Sequence, residues 1–314
     1  FLPIHRIYNL NYSTKAGPGK HEFPVFHVYW GMKRIIPLLC ALLLSLSGCL
    51  PRTAAVDAAR ETRRIPILMY HSILRDPDRK GKYVLSPDLL EEDVRYLLDH
   101  GYETVSCGEL AAFASGAGSL PEKPVLLTFD DGYLNNLTYA LPLMEQYGCH
   151  AVVSVVGAYT ERFSKTPDPN PNYAHLSWEQ VRAITEGGFI EIQNHSWNMH
   201  GQAGRKGSMR KAGESDAAYA AAFTEDLMRL QRTLTAQAGI TPTFFAYPFG
   251  LMDPLSKTLL KDMGFIGSFS CREKISAVTR GEPDSLFGLC RFNRPGNLST
   301  SDFMEHVFDE SDLP

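Results

Sequence analysis

The chain has 314 residues, 44% of them hydrophobic, with a net charge of −4. That length and apolar content are enough for one full α/β core. Lys and Arg form no clustered run, which excludes a dedicated nucleic-acid binder; no nucleic-acid partner is expected, and the oligomeric state is left open.

Residues 1–31 contain no Met and read as upstream translation, with Met32 the expected start. Met32-Lys33-Arg34 and the apolar run Ile35 to Leu46 give the basic and hydrophobic parts of a signal peptide over 32–49. The run is shorter than the ~20 apolar residues of a membrane span. Leu46-Ser47-Gly48-Cys49 resembles a bacterial lipobox, which implies acylation of Cys49 and a protein lipid-anchored to the membrane outside the cytoplasm. An ordinary secretory signal is the alternative. Residues 50–63 are small and polar, a linker preceding a folded domain over 64–314.

Within that domain apolar runs alternate with helical patterns. Ile65 to Tyr70 is a buried strand, and Ser86-Pro87 caps a helix whose apolar face is Leu90, Val94, Leu97 and Leu98 and whose end is Gly101. Val125 to Phe129 is a strand, Leu137 to Tyr147 a helix, and Ala151 to Val156 a strand. Ser177-Trp178-Glu179-Gln180 is a capping box opening a helix that stops at Gly187-Gly188, before a strand from Phe189. A long helix spans Glu214 to Ala238. Thr243 to Tyr247 is a strand, Pro254 to Met263 a helix, Ile266 to Phe269 a strand, and Leu289 to Phe292 the last one. This alternation predicts a parallel α/β sheet, closed into a barrel with its chemistry at the C-terminal strand ends.

Two motifs lie at such ends. Thr128-Phe129-Asp130-Asp131-Gly132-Tyr133 closes one strand. Adjacent side chains in a strand face opposite ways, so the two acids converge only where the chain leaves the strand, and Gly132 permits that turn. Read alone, the pair serves equally as a helix cap. Asn194 to His200 follows another strand, and its histidines, five apart, share no helical face. Alone they could be two unrelated surface residues. Together, one Asp and two His make a three-ligand site with open positions, as catalytic metals have. Imidazoles suit zinc, and cobalt or nickel as well.

These motifs resemble the polysaccharide deacetylases of carbohydrate esterase family 4, the NodB homology domain. The five-residue histidine spacing, with Leu68-Met69-Tyr70-His71-Ser72 and Gly101-Tyr102, is similar to the subgroup acting on poly-β-1,6-N-acetylglucosamine. The resemblance implies a distorted (β/α) barrel of fewer than eight full repeats, with a catalytic domain over 64–314. It implies a divalent metal, zinc first, on Asp131, His195 and His200, with Asp130 as general base. It also implies an acetylated glycan as substrate. The family's Arg-x-Pro-Tyr motif aligns with Ala246-Tyr247-Pro248-Phe249, so the main chain of Phe249 would meet the oxyanion, while the Arg is replaced by Ala246. Arg291, or else Arg294, is expected to substitute, and Arg291 also counts among substrate-binding candidates with Tyr133 and Trp197. Trp178 is a further sugar-stacking candidate. The family's Leu-x-His motif has no match, since Leu289-Cys290-Arg291 stands there. His71 is the substitute acid, or else a histidine hydrogen-bonded under the barrel mouth. An O-acetyl esterase, a peptidoglycan deacetylase and a non-catalytic glycan-binding lipoprotein are the alternatives. Cys271 and Cys290 are either a disulfide or two buried thiols.

Overall fold

The structure, a computed structural model, describes residues 61–308. The expected signal peptide, Cys49 and most of the linker lie outside the described residues.

Seven apolar runs form parallel strands, here β1 (Ile67–Tyr70), β2 (Pro124–Phe129), β3 (Ala151–Val155), β4 (Ile190–Asn194), β5 (Phe244–Ala246), β6 (Gly267–Phe269) and β7 (Phe292–Asn293). Their order is β6-β5-β4-β3-β2-β1-β7, every pairing parallel. A parallel bridge between Phe269 and Leu289 joins the two ends. The predicted barrel of fewer than eight repeats is therefore what forms. Strands covered on both faces need apolar side chains at every position, and all six residues of β2 are buried.

Alternation along the strands separates two apolar clusters. Leu68, Leu127, Phe129 and Val153 belong to one, and the intervening Ile67, Leu126 and Val152 to the other. The helices are α1 (Pro87–Asp99), α2 (Cys107–Ala114), α3 (Leu141–Tyr147), α4 (Gly157–Lys165), α5 (Trp178–Ala183), α6 (Asp216–Ala238), α7 (Ser256–Asp262) and α8 (Thr300–Phe308). The first cluster takes in Leu90, Val94 and Leu97 of α1 and Leu230 and Leu234 of α6; the second takes in Leu110 and Phe113 of α2.

The predicted caps hold. Ser86 accepts from the Leu89 amide at 3.4 Å, and the Ser177 box is reciprocal. Several boundaries differ. Leu98 is exposed and off the apolar face of α1. The helix predicted from Leu137 begins instead as a π-type turn over Asn136–Ala140, and α5 ends at Ala183, ahead of the glycines. The expected linker runs too far, because Thr62–Ile65 pairs antiparallel with Ser276–Thr279. Helices α2, α4 and α8 were not expected. Among the described residues no helix is long and apolar enough to cross a membrane.

Candidate metal centre

The period of two along β2 decides where its last acid goes. Leu126 and Thr128 face one way, and Asp130, next in that series, enters the same space. There it meets Arg291, whose Nη1 and Nη2 donate to the two Asp130 oxygens at 2.8 and 2.7 Å. Arg291 also donates from Nε to the Ser270 carbonyl at 3.0 Å and from Nη1 to Thr128 Oγ1 at 3.2 Å. A fully buried guanidinium is thus satisfied on all sides, the condition under which burying it is tolerable.

Asp131 escapes the alternation by a turn. Its φ is +72° and that of Gly132 is +66°. A Cβ at position 132 would lie 2.8 Å from Val155 Cγ1, so only glycine fits there. The turn brings Asp131 Oδ1 to 3.0 Å from His200 Nε2 and 3.5 Å from His195 Nε2. Neither acid caps a helix. The one capping choice left open by sequence is settled by these partners.

The histidines come from a turn pinned by its surroundings. Asn194 Oδ1 accepts from the Ser196 amide at 2.8 Å, and Asp226 accepts from the amides of Trp197 and Asn198 at 2.7 and 3.0 Å. At the start of α4, the Gly157 and Ala158 amides donate to the carbonyls of Ser196 and Trp197 at 3.0 and 2.7 Å. His195 Nδ1 lies 2.7 Å from the Ala246 carbonyl, so Nδ1 carries the proton and Nε2 offers its lone pair. Asp131, Ser196 and Phe249 are the non-glycine residues of positive φ among the described residues, and all three stand at this site. Left-handed backbone costs of order 1 kcal/mol per residue, and its concentration here marks geometry imposed by function.

Three ligand atoms, from Asp131, His195 and His200, lie within 4.8 Å of one another. The fit to a cation rests on Asp131 Oδ1, a buried acceptor without a hydrogen-bond donor, facing two imidazole nitrogens. A divalent ion would satisfy all three, and the N/O donor set is one that zinc takes.

Electrostatics follow from the same contacts. Burial raises the Asp130 carboxyl, but Arg291, His195 and His71 outweigh it and hold it at about 2. Burial also raises Asp131, and its two imidazole partners bring it well below the carboxylate range. Burial lowers His195, yet the carboxylates of Asp130 and Asp131 lift it above its ordinary value. For His71 burial wins over the two acids, and its pKa falls. The centre favours positive charge between acid and imidazoles.

A cleft of about 460 Å³ opens over these groups, and His71, Tyr133, Phe249 and Cys271 line it. The His71 ring lies tilted against that of Tyr83 at 4.7 Å, and its Nδ1 is buried without a hydrogen-bond partner. The Phe249 ring lies 4.8 Å from that of His200. Tyr133 is half-buried, with its phenol pushed up by burial and by Asp131. Three expectations are corrected. Arg291 has no exposed surface and cannot bind sugar, because it is spent on Asp130. Arg294 grips Asp93 at 2.8 Å, away from Asp130. Trp197 is buried against Trp178 at 6.4 Å and under Arg229, so neither indole is a sugar platform. Cys271 and Cys290 are free thiols.

Sequence reasoning missed the supports. Asn136 Nδ2 donates to the His71 carbonyl at 3.0 Å, and Asn135 Oδ1 accepts from the Ile73 amide at 3.0 Å, which fixes the loop carrying His71. The only local signal was two Asn just past a motif. His175 packs behind Tyr133 at 4.6 Å, lowered to about 4 by burial and so neutral.

At the mouth of a parallel barrel, an Asp-His-His set able to hold a cation thus stands beside an ionised carboxylate, an arrangement suited to metal-assisted hydrolysis. The family model of polysaccharide deacetylases matches residues 117–267 of this chain. It is 27% identical over 237 residues to a poly-β-1,6-N-acetyl-D-glucosamine N-deacetylase of Escherichia coli K12, covering 69% of this chain and 34% of that protein. The chain thus spans about a third of the length of that relative. A Staphylococcus aureus protein of the same name is 24% identical, over 73% of this chain and 72% of its own. Two solved structures share the fold: a de-N-acetylase of Aggregatibacter actinomycetemcomitans (TM-score 0.65, 24% identity, 78% of this chain and all of that one) and a Streptococcus pyogenes deacetylase in complex with acetate (TM-score 0.63, 22% identity, 79% and 99%).

Proposed function

We propose that the protein removes N-acetyl groups from an extracellular or cell-wall polysaccharide of N-acetylglucosamine, with zinc, or else cobalt or nickel, as its metal. The observation that carries this reading is the Arg291-clamped Asp130 standing beside the Asp131, His195 and His200 ligand set under an open cleft. Poly-β-1,6-N-acetylglucosamine is the polymer of choice, on the strength of the relatives' names. Residues 32–49 support a lipid-anchored or secreted site of action.

A divalent ion held by Asp131, His195 and His200 would supply Lewis acidity toward a carbonyl oxygen and toward water. This chain's own residues do the rest. Asp130, ionised at every working pH and unable to rotate away from Arg291, accepts the proton of the attacking water. The left-handed turn at Phe249 offers a main-chain amide to the oxyanion, a donor worth about 3 kcal/mol. The proton taken by Asp130 then passes to the leaving nitrogen, with His71 on the cleft wall positioned to relay it. A carbon–oxygen bond forms, the carbon–nitrogen bond breaks, and acetate and a free amine remain.

The test is acetate release from β-1,6-linked N-acetylglucosamine oligomers by the chelator-stripped protein, before and after addition of zinc or cobalt. Activity that returns with the metal supports the reading. A metal-loaded protein that binds the oligomers and releases no acetate from any of them would overturn it in favour of a binding lipoprotein.

A further inference from the structure

The cleft over the metal ligands does not end at them. Lys82, Glu273 and Asn293 line it, and the same three line a second cavity of about 360 Å³. The second cavity takes its apolar surface from Leu298, which is 37% exposed, with Phe303 buried beneath. One continuous groove therefore runs from the ion site across Glu273 to an apolar floor, a shape suited to the next sugar ring of a polymer.

The groups at the junction are mostly acceptors. Asn293 Oδ1 is buried and has no hydrogen-bond partner, while its Nδ2 already donates to the Lys82 carbonyl at 2.9 Å. Glu273 takes a contact of 3.3 Å from the Asn293 amide on one oxygen and of 3.3 Å from His306 Nε2 on the other, with its side chain 45% exposed. The nearby Lys82 ammonium lies over the Tyr83 ring at 5.1 Å. A ligand group that meets Glu273 or Asn293 Oδ1 must bring a donor. An acetylated sugar brings neutral hydroxyls, whereas a deacetylated one also brings an ammonium, and charge-assisted bonds are the stronger.

Resting on the deacetylase reading, we propose that Glu273 is a specificity-determining residue of a neighbouring-sugar subsite and that it favours a unit whose nitrogen is already a free ammonium. The enzyme then works best beside units it has already processed, so that free amines accumulate in runs along the chain.

The experiment compares metal-loaded protein on β-1,6-linked N-acetylglucosamine pentamers, fully acetylated and singly deacetylated, with binding of a fully deacetylated glucosamine trimer read by calorimetry. The expected wild-type preference in kcat/KM is about two- to fivefold for the singly deacetylated pentamer, the range a half-exposed ion pair supports. Glu273→Gln should abolish that preference through KM and weaken trimer binding by the same factor. Equal kcat/KM for the two wild-type substrates, or a preference that survives in Glu273→Gln, overturns the inference while acetate release keeps the deacetylase reading. Absence of acetate from every oligomer would instead sink that reading and this inference with it.

Discussion

Arg291 and Asp130, 161 residues apart, are joined by two parallel hydrogen bonds of 2.8 and 2.7 Å, both groups buried. The guanidinium comes from just before β7, not from the strand where the family motif has its Arg. The geometry depends on a planar fork, which Lys lacks. Arg291→Lys is predicted to keep the cation, measured by metal content, and to lower kcat by about 10²-fold or more, as misplacing a catalytic group does. Near-normal kcat in that variant would show that Asp130 needs no clamp.

Acid should unfold the protein partly through Asp130. Its folded pKa of about 2 lies below the ordinary 3.8, so the unfolded chain binds more protons between those values. Its contribution is whole above about pH 4 and fades as pH falls through 2, a loss of about 2 kcal/mol. Urea denaturation of wild type and Asp130→Asn between pH 2 and 6 checks this. The variant should show the shallower acid slope and, with its metal retained, a kcat at least ~10²-fold lower.

Removal of the cation should silence the protein and loosen it. Chelation is expected to abolish acetate release and lower Tm, with zinc restoring both; at 1,000 times its Kd a ligand adds about 4 kcal/mol. His200→Ala should remove the metal response from the melting curve, and a Tm that still rises with zinc would place the ion elsewhere.

A second buried pair offers a control. Arg294 donates from Nε and Nη2 to Asp93 at 2.8 and 3.0 Å, and Thr300 donates to Asp93 at 2.7 Å. Asp93→Ala leaves a buried guanidinium unpaired and should cost about 3–5 kcal/mol in denaturation. Metal content and kcat of the surviving folded fraction should be unchanged, in contrast to Arg291→Lys.

The turn at Gly132 can be tested separately. Gly132→Ala must hold an L side chain at φ +66° with its Cβ against Val155. Metal affinity measured by competition should fall, because Asp131 is displaced from both imidazoles. Unchanged affinity would mean that the turn is not what aims Asp131.

Much of this molecule is written locally. Apolar runs gave the seven strands, Ser86 and Ser177 gave their helix starts, and the two motifs at strand ends gave the ligands Asp131, His195 and His200. Such features are legible because hydrogen bonding, capping and side-chain alternation act over a few residues. Helices α2, α4 and α8 escaped notice; α2 opens on a Ser106–Glu109 capping box that is legible in the sequence, whereas α4 has no side-chain cap to announce it. The side chains that reach across the barrel were the other failure. In sequence Arg291 reads both as a sugar-binding residue and as the partner of Asp130, and Trp197 as a sugar-binding residue. Only barrel closure, which brings Leu289 beside Phe269, decided that Arg291 points inward onto Asp130. Sequence thus determined which groups could hold a cation; the tertiary structure decided which distant charge neutralises the acid beside it, because that pairing exists only once strands far apart in the chain lie side by side.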